Sequence, residues 1–214
     1  MPKIHGVSAS PFVRKVLVAM TEKNLPYEIV PVMPTAPTAE FKKISPLGKI
    51  PVYQDGDFFL PDSSCILAYL ERAHPTPALM PSDPKQYGTA LFLEEYADTR
   101  LMEAVAGAFF ERFVKVKLLK QQPDEARVQK SVRELMPAVL DYLEPLAPEG
   151  DGIVGGRFSI ADIAIGSQLL NWEYVGQSID AAKYPRMAAY VARILARPSF
   201  KALIEQERKQ FEIR

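Results

Sequence analysis

The sequence predicts a chain in two parts, an α/β domain over residues 1–78 and an all-helical domain over residues 85–214. Three observations predict it. Strand-type and helix-type segments alternate as far as His74. The prolines Pro75, Pro77, Pro81 and Pro84 then break the chain within a short span. Beyond them the strand signals largely vanish, and apolar residues recur at helical spacing.

Lys3 to Val7 is an apolar-rich strand. Pro11 to Lys23 follows as a helix, with Val13, Val16, Leu17 and Met20 at the spacing of one buried face. Tyr27 to Val32 returns to strand, ahead of a proline-broken loop and a short helix from Ala39 to Ile44. Pro51 to Gln54 and Phe58 to Leu60 flank Asp55-Gly56, a hairpin signal. Ser63 to His74 is a helix stopped by Pro75. The order βαβαββα is that of a thioredoxin-like domain.

Residues 79–84 form a semi-rigid linker, because prolines resist regular structure. Lys85 to Gln122 and Asp124 to Leu146 read as two long helices, with Pro137 as a point where the second would kink. Met102, Val105, Ala106, Phe109 and Phe113 form a stripe on the first. Val128, Val132, Leu135, Val139 and Leu143 form one on the second. Farther on, Ser159 and Asp162 are spaced as a capping box, with Phe158 and Ile163 placed as a hydrophobic staple. The helix they open has few polar faces and is expected to be central.

Composition narrows the function. Lys plus Arg is 26 and Asp plus Glu is 26, so no net field draws the chain to nucleic acid or an anionic membrane. Cys65 is the only cysteine, which leaves no intramolecular disulfide and fits a reducing compartment. The Met-Pro-Lys-Ile-His start has no signal-peptide core, and no apolar run approaches the roughly 20 residues of a membrane span. A soluble cytoplasmic protein is the expectation. His5 and His74 are too few for a metal cluster, so no metal is expected. Dinucleotide-binding, P-loop and nucleophile-elbow motifs are missing from the sequence.

Three short stretches carry the chemistry. Ser10-Pro11 and Asp62-Ser63-Ser64 open helices, whose first N–H groups lack internal partners and sit at the positive end of the helix dipole. Ile50-Pro51 opens a strand and offers a free peptide edge. Together they suit a thiol, a peptide backbone and a carboxylate, the combination found in glutathione. Each has a plainer reading. Ser10 could be only a helix cap, Lys49 a solvated surface lysine, and Asp62-Ser63 an ordinary capping cluster. Ser8 is a second hydroxyl in the same loop, without the following proline.

In this order, Ser10-Pro11-Phe12-Val13-Arg14-Lys15-Val16, Gly48-Lys49-Ile50-Pro51-Val52 and Asp62-Ser63 resemble the cytosolic glutathione S-transferases, most closely their bacterial serine-type members. The proline-rich linker and the Ser159–Asp162 box look like the same family, so the resemblance covers nearly the whole chain. It implies that Ser10 is the catalytic hydroxyl, and that Ile50 and Pro51, joined by a cis bond, pair with the cysteinyl backbone. Lys49 would reach the glycyl carboxylate, Ser63 the γ-glutamyl carboxylate and Asp62 the γ-glutamyl ammonium, although the family more often carries Glu at this last position. The acceptor pocket, lying in the family between the first loop and the long helices, would draw on Phe12, Phe109, Phe110 and Phe113.

The implied protein is a homodimer that delivers the glutathione thiolate to a small apolar electrophile, or to a peroxide. Three alternatives stand beside it. A glutathione-dependent thiol reductase needs a cysteine where this chain has Ser10. An isomerase of maleyl-type acids would carry Ser-Ser-Cys where Ser8-Ala9-Ser10-Pro11 stands. A scaffold of the same fold would bind partners without catalysis.

Overall fold

The computed structural model describes residues 1–33 and 37–213, so Pro34–Ala36 of the expected proline-broken loop lie outside the described residues. The chain divides into two compact units, Met1–Met80 and Pro81–Arg214.

In the first unit, β1 (Lys3–His5), α1 (Pro11–Glu22), β2 (Glu28–Val30), α2 (Ala39–Ile44), β3 (Val52–Asp55), β4 (Phe58–Pro61) and α3 (Ser63–Ala73) follow the expected order. The sheet runs β2-β1-β3-β4, with β1 parallel to β2 and the other neighbours antiparallel. β1 and β2 are shorter than the expected runs, while β3 and β4 fall within one residue of the expected bounds. The predicted α1 stripe is fully buried, with Val13, Val16, Leu17 and Met20 at 0% exposure. The hairpin loop is Gly56-Asp57 rather than Asp55-Gly56, since Asp55 pairs with Phe58. Gly56 alone takes a positive φ there, 57°, which suits a two-residue loop led by glycine.

The chain after α3 is held by charge. Lys23, almost fully buried, pairs with Glu71 at 2.7 Å and donates to the carbonyls of His74 and Pro77, both at 2.8 Å. Glu71 in turn accepts the N–H groups of Leu79 and Met80. Four backbone groups of the proline-rich segment are thus satisfied without regular structure.

The second unit is helical. α4 (Pro84–Tyr96) and α5 (Met102–Phe109) are joined by wider π-type turns over Ala97–Leu101, and α5 runs on in the same form over Phe110–Leu118. α6 (Glu125–Lys130) leads through π-type turns over Ser131–Leu135 into α7 (Met136–Leu143). Pro137 stands at the start of α7. It has no N–H to give the preceding turn, which widens instead of breaking. Each added residue in a wide turn rotates the following face. The buried stripe is consequently Leu101, Ala104, Val105 and Ala108, while Ala106 of the expected stripe is exposed.

α8 (Ile160–Tyr174) is buried along nearly its whole length, and α9 (Pro185–Leu195) and α10 (Pro198–Phe211) complete the unit. Its capping box is formed, with Asp162 Oδ2 accepting both the N–H and the hydroxyl of Ser159 at 2.8 and 2.9 Å. Oδ1 accepts from Ile153 N–H at 2.8 Å and from the Tyr190 hydroxyl at 2.6 Å. Gly166 lets α8 be approached closely, because a Cβ there would lie 2.7 Å from Ile194 Cγ2 and 3.0 Å from Phe200 Cζ.

Candidate active site

The sheet register brings the three stretches together. His5 lies opposite Val52, and Val52 lies opposite Pro61. One row of residues thus ends β1, begins β3 and ends β4. Gly6–Ser10, Ile50–Pro51 and Asp62–Ser63 are the next residues off that row, so they emerge at one edge of the sheet. This juxtaposition follows from backbone pairing alone.

Ser10 is the N-cap residue of α1, with Pro11 in the first turn. Its carbonyl accepts from Arg14 N–H at 2.9 Å, but its side chain makes no capping bond. The hydroxyl is thus not committed to the helix start, where the first N–H groups carry the positive end of the dipole. Ser10 is half-buried, whereas Ser8 is only 5% exposed. Of the two hydroxyls, Ser10 is the more accessible. Gly6 allows α1 this close to the strand end, since a Cβ there would sit 2.5 Å from Val13 Cγ2. Tyr53, Tyr96, Tyr184 and Tyr190 are each displaced upward, Tyr53 to about 12 through burial and then its neighbour Tyr69. None of those phenols is poised to ionise near neutrality.

The Ile50–Pro51 peptide is cis, and both residues are buried. Lys49 just before them is exposed, and its carbonyl accepts the Ser45 hydroxyl at 2.7 Å. Ser45 also closes the preceding turn, its carbonyl accepting from Gly48 N–H at 2.8 Å. The lysine side chain therefore starts from a fixed backbone.

Asp62 holds φ at 77°, a region rarely adopted by residues other than glycine. It does so as the N-cap of α3, where Oδ1 accepts from Ser64 N–H at 3.0 Å and Cys65 N–H at 3.1 Å. Those two bonds account for one carboxylate oxygen. Ser63 is 3% exposed and, as the first residue of α3, has an N–H without an intrahelical acceptor.

Sequence reasoning missed Lys15. Its side chain is only 1% exposed, and its ammonium donates to Ser64 Oγ at 3.2 Å, tying α1 to the start of α3. Position alone could have flagged it, one turn into α1 after Ser10-Pro11, but a lysine there reads as a surface charge.

The phenylalanines expected to line an acceptor pocket do not share one environment. Phe12 is half-buried in α1 of the first unit. In the second unit Phe109 stacks on Phe113 at 4.6 Å, and Phe113 also meets Tyr174 and Phe211. Phe113 is 2% exposed, so it is a core residue and presents no surface to a ligand. Phe110 is exposed and lies 5.9 Å from Lys115 and 5.8 Å from Arg127. That unit also carries an open cleft of about 940 Å³, lined by residues including Arg112, Val116, Tyr174 and Ile213, which no sequence signal marked. Among the described residues, no group of three His, Cys, Asp or Glu side chains could hold a metal ion, and no helix is long and apolar enough to cross a membrane.

The first unit is a thioredoxin-like domain and the second an all-helical domain, the two-part architecture of the glutathione transferases. Residues 4–78 match the glutathione S-transferase N-terminal domain family and residues 107–207 the C-terminal domain family. A glutathione S-transferase of Hyoscyamus muticus is 29% identical over 210 residues, covering 95% of this chain and 97% of the relative. The crystal structure of a Methylobacterium radiotolerans glutathione S-transferase, in complex with glutathione sulfonate, is 31% identical with a TM-score of 0.76, covering 95% and 94% of the two chains. FtsZ-localized protein A of Caulobacter vibrioides is 24% identical over 205 residues, covering 94% of this chain and 90% of the relative. The chain belongs to the cytosolic glutathione S-transferase family.

Proposed function

We propose that this protein is a serine-type glutathione transferase that binds glutathione across the edge formed by Gly6–Ser10, Ile50–Pro51 and Asp62–Ser63. The observation that carries the reading is the Ser10 hydroxyl, at a helix start yet unused as a cap. The sulfur of glutathione accepts its proton in a hydrogen bond, and the α1 dipole adds to the preference for thiolate. A free thiol ionises near 8.5, and helix N-termini bring such values into the neutral range. A shift of about 2 units needs roughly 2.7 kcal/mol. One charge-assisted hydrogen bond plus a dipole is of that size.

The peptide groups of Ile50 pair with the cysteinyl backbone, and Pro51 holds the start of β3. Lys49 takes the glycyl carboxylate. The γ-glutamyl carboxylate docks on the N–H and hydroxyl of Ser63, while Asp62 holds the ammonium with Oδ2, since Oδ1 caps α3. The thiolate then attacks a small apolar electrophile or a peroxide. The working form is a homodimer in the cytoplasm, and no metal takes part. A serine at position 10 disfavours the thiol-reductase alternative, which needs a thiol to form its mixed disulfide.

The test is the ultraviolet difference spectrum of bound glutathione as pH is lowered. A thiolate band that persists below pH 7 and weakens in Ser10→Ala supports the reading. Turnover should fall at least about tenfold in that variant with glutathione affinity little changed, as expected when a transition-state interaction is removed. Unchanged turnover removes Ser10 from the mechanism.

A second reading follows from the likeness to FtsZ-localized protein A, whose name places it with a protein partner. In that reading the fold serves as a binding scaffold. Passage through a glutathione-affinity column without retention would favour it.

A further inference from the structure

Trp172 carries an unmet donor. The residue is 3% exposed in α8, and its Nε1–H finds no acceptor among the described residues. A buried indole N–H ordinarily has a partner, because burial without one forfeits the hydrogen bond it made with water. Trp172 is also one wall of a cavity of about 140 Å³ between α8 and α9. These two observations are independent, and they fall on one side chain.

The cavity follows from the sequence of α9. Met187, Tyr190, Val191 and Ile194 are buried there, whereas Ala188 and Ala192, one helical turn apart, end at Cβ. Both alanines line the cavity, with Leu169 and Trp172 of α8 as further walls. Ser178 and Ile179 of the connecting segment line it too, and Glu173 is the one charged residue among the described residues that do. An apolar space thus has three polar side chains around it: an indole that only donates, a carboxylate that accepts, and a hydroxyl that does either.

Those groups sort ligands by charge and by hydrogen bonding. An anion meets Glu173. An ammonium has no lone pair to offer the indole N–H. A hydroxyl can accept from the indole and donate to the carboxylate. Size narrows the class further, since an apolar cavity of about 150 Å³ in another protein holds a single benzene ring. We infer that the α8–α9 cavity is a binding site for a small neutral alcohol built on one ring, oriented by Trp172 and Glu173. The site belongs to the helical unit and does not depend on the glutathione reading.

Trp172 is the only tryptophan, so the proton–nitrogen NMR spectrum of the labelled full chain holds a single indole cross-peak. Cyclohexanol should move that peak downfield and saturably, with a Kd of about 1–10 mM for a ligand of its size. Cyclohexylammonium and cyclohexanecarboxylate should each bind at least about tenfold more weakly. Ala188→Leu fills the cavity and should abolish the shift. Ala192→Leu, at an exposed position, should do the same and carries the test if Ala188→Leu does not fold.

A peak that stays in place up to about 50 mM cyclohexanol would mean that water alone serves the indole, and it overturns the inference. So does an undiminished response in the folded leucine variants, or either ion binding as tightly as the alcohol.

Discussion

The sharpest structural prediction concerns Asp162, which holds the start of α8. Its side chain is 0% exposed and accepts from the Ser159 N–H and hydroxyl, the Ile153 N–H and the Tyr190 hydroxyl. Asp162→Ala strands those donors inside the unit. Each buried donor left without an acceptor costs about 1–3 kcal/mol, so stranding three or four approaches the whole stability of an ordinary domain, about 5–15 kcal/mol. The net loss falls below the simple sum. Burial pushes the Asp162 carboxyl above its usual range, so removing the charge also relieves a desolvation cost.

Asp162→Asn is the more informative change. Its amide oxygen still accepts from Ile153 and Tyr190, but its NH₂ faces the Ser159 N–H, and donor meets donor. The expected loss is about 2–4 kcal/mol, which lowers Tm by about 4–16 °C for a chain of this size. Tyr190→Phe removes one donor, leaves the carboxylate three, and should cost least. Trp172 is the only tryptophan and lies buried in α8, so urea unfolding followed by its fluorescence reports this region directly. A loss under about 0.5 kcal/mol in Asp162→Asn, the size of an ordinary surface substitution, would refute the argument, as would Tyr190→Phe costing more than Asp162→Ala.

Glu111 gives a prediction in pH. Its carboxyl is held below the usual range, first by Lys115 at 2.6 Å and then, against the opposing effect of burial, by Asp124 N–H and Arg127. A depressed folded value means a contribution present above the unfolded value, about 4.5, and lost as pH falls through the folded one. The stability gap between wild type and Glu111→Gln, read by urea unfolding, should therefore be full at pH 7 and shrink below about pH 4.5; a gap constant with pH would contradict it. Gly166→Ala should destabilise by about 1–3 kcal/mol, since the new methyl strikes Ile194 and Phe200, and a thermal scan showing no loss would mean that α9 and α10 yield easily.

The parts of the site that were legible in the sequence are those set by local backbone rules. A serine before a proline marks a helix start, an X-Pro marks a strand opening, and an acid-serine pair marks the next helix. These rules located Ser10, Ile50 and Ser63 within residues of their neighbours, and the Ser159–Asp162 box was readable for the same reason. Where phase mattered, local reading slipped. The π-type turns around α5 rotated its buried face, so Ala106 came out exposed, whereas Phe113 is buried as its stripe predicted and therefore presents no ligand surface.

Lys15 was illegible because its meaning depends on residue 64, a separation of 49 positions that only packing of α1 on α3 closes. A buried lysine survives where something stabilises its charge. In a chain with 26 basic and 26 acidic residues, most charges are solvated, and composition cannot pick out the few that are buried. The geometry of Asp62 sharpens the point. One oxygen of its carboxylate is already used in capping, so a helix start that looks generically suited to anions is, here, partly filled by the protein's own acid.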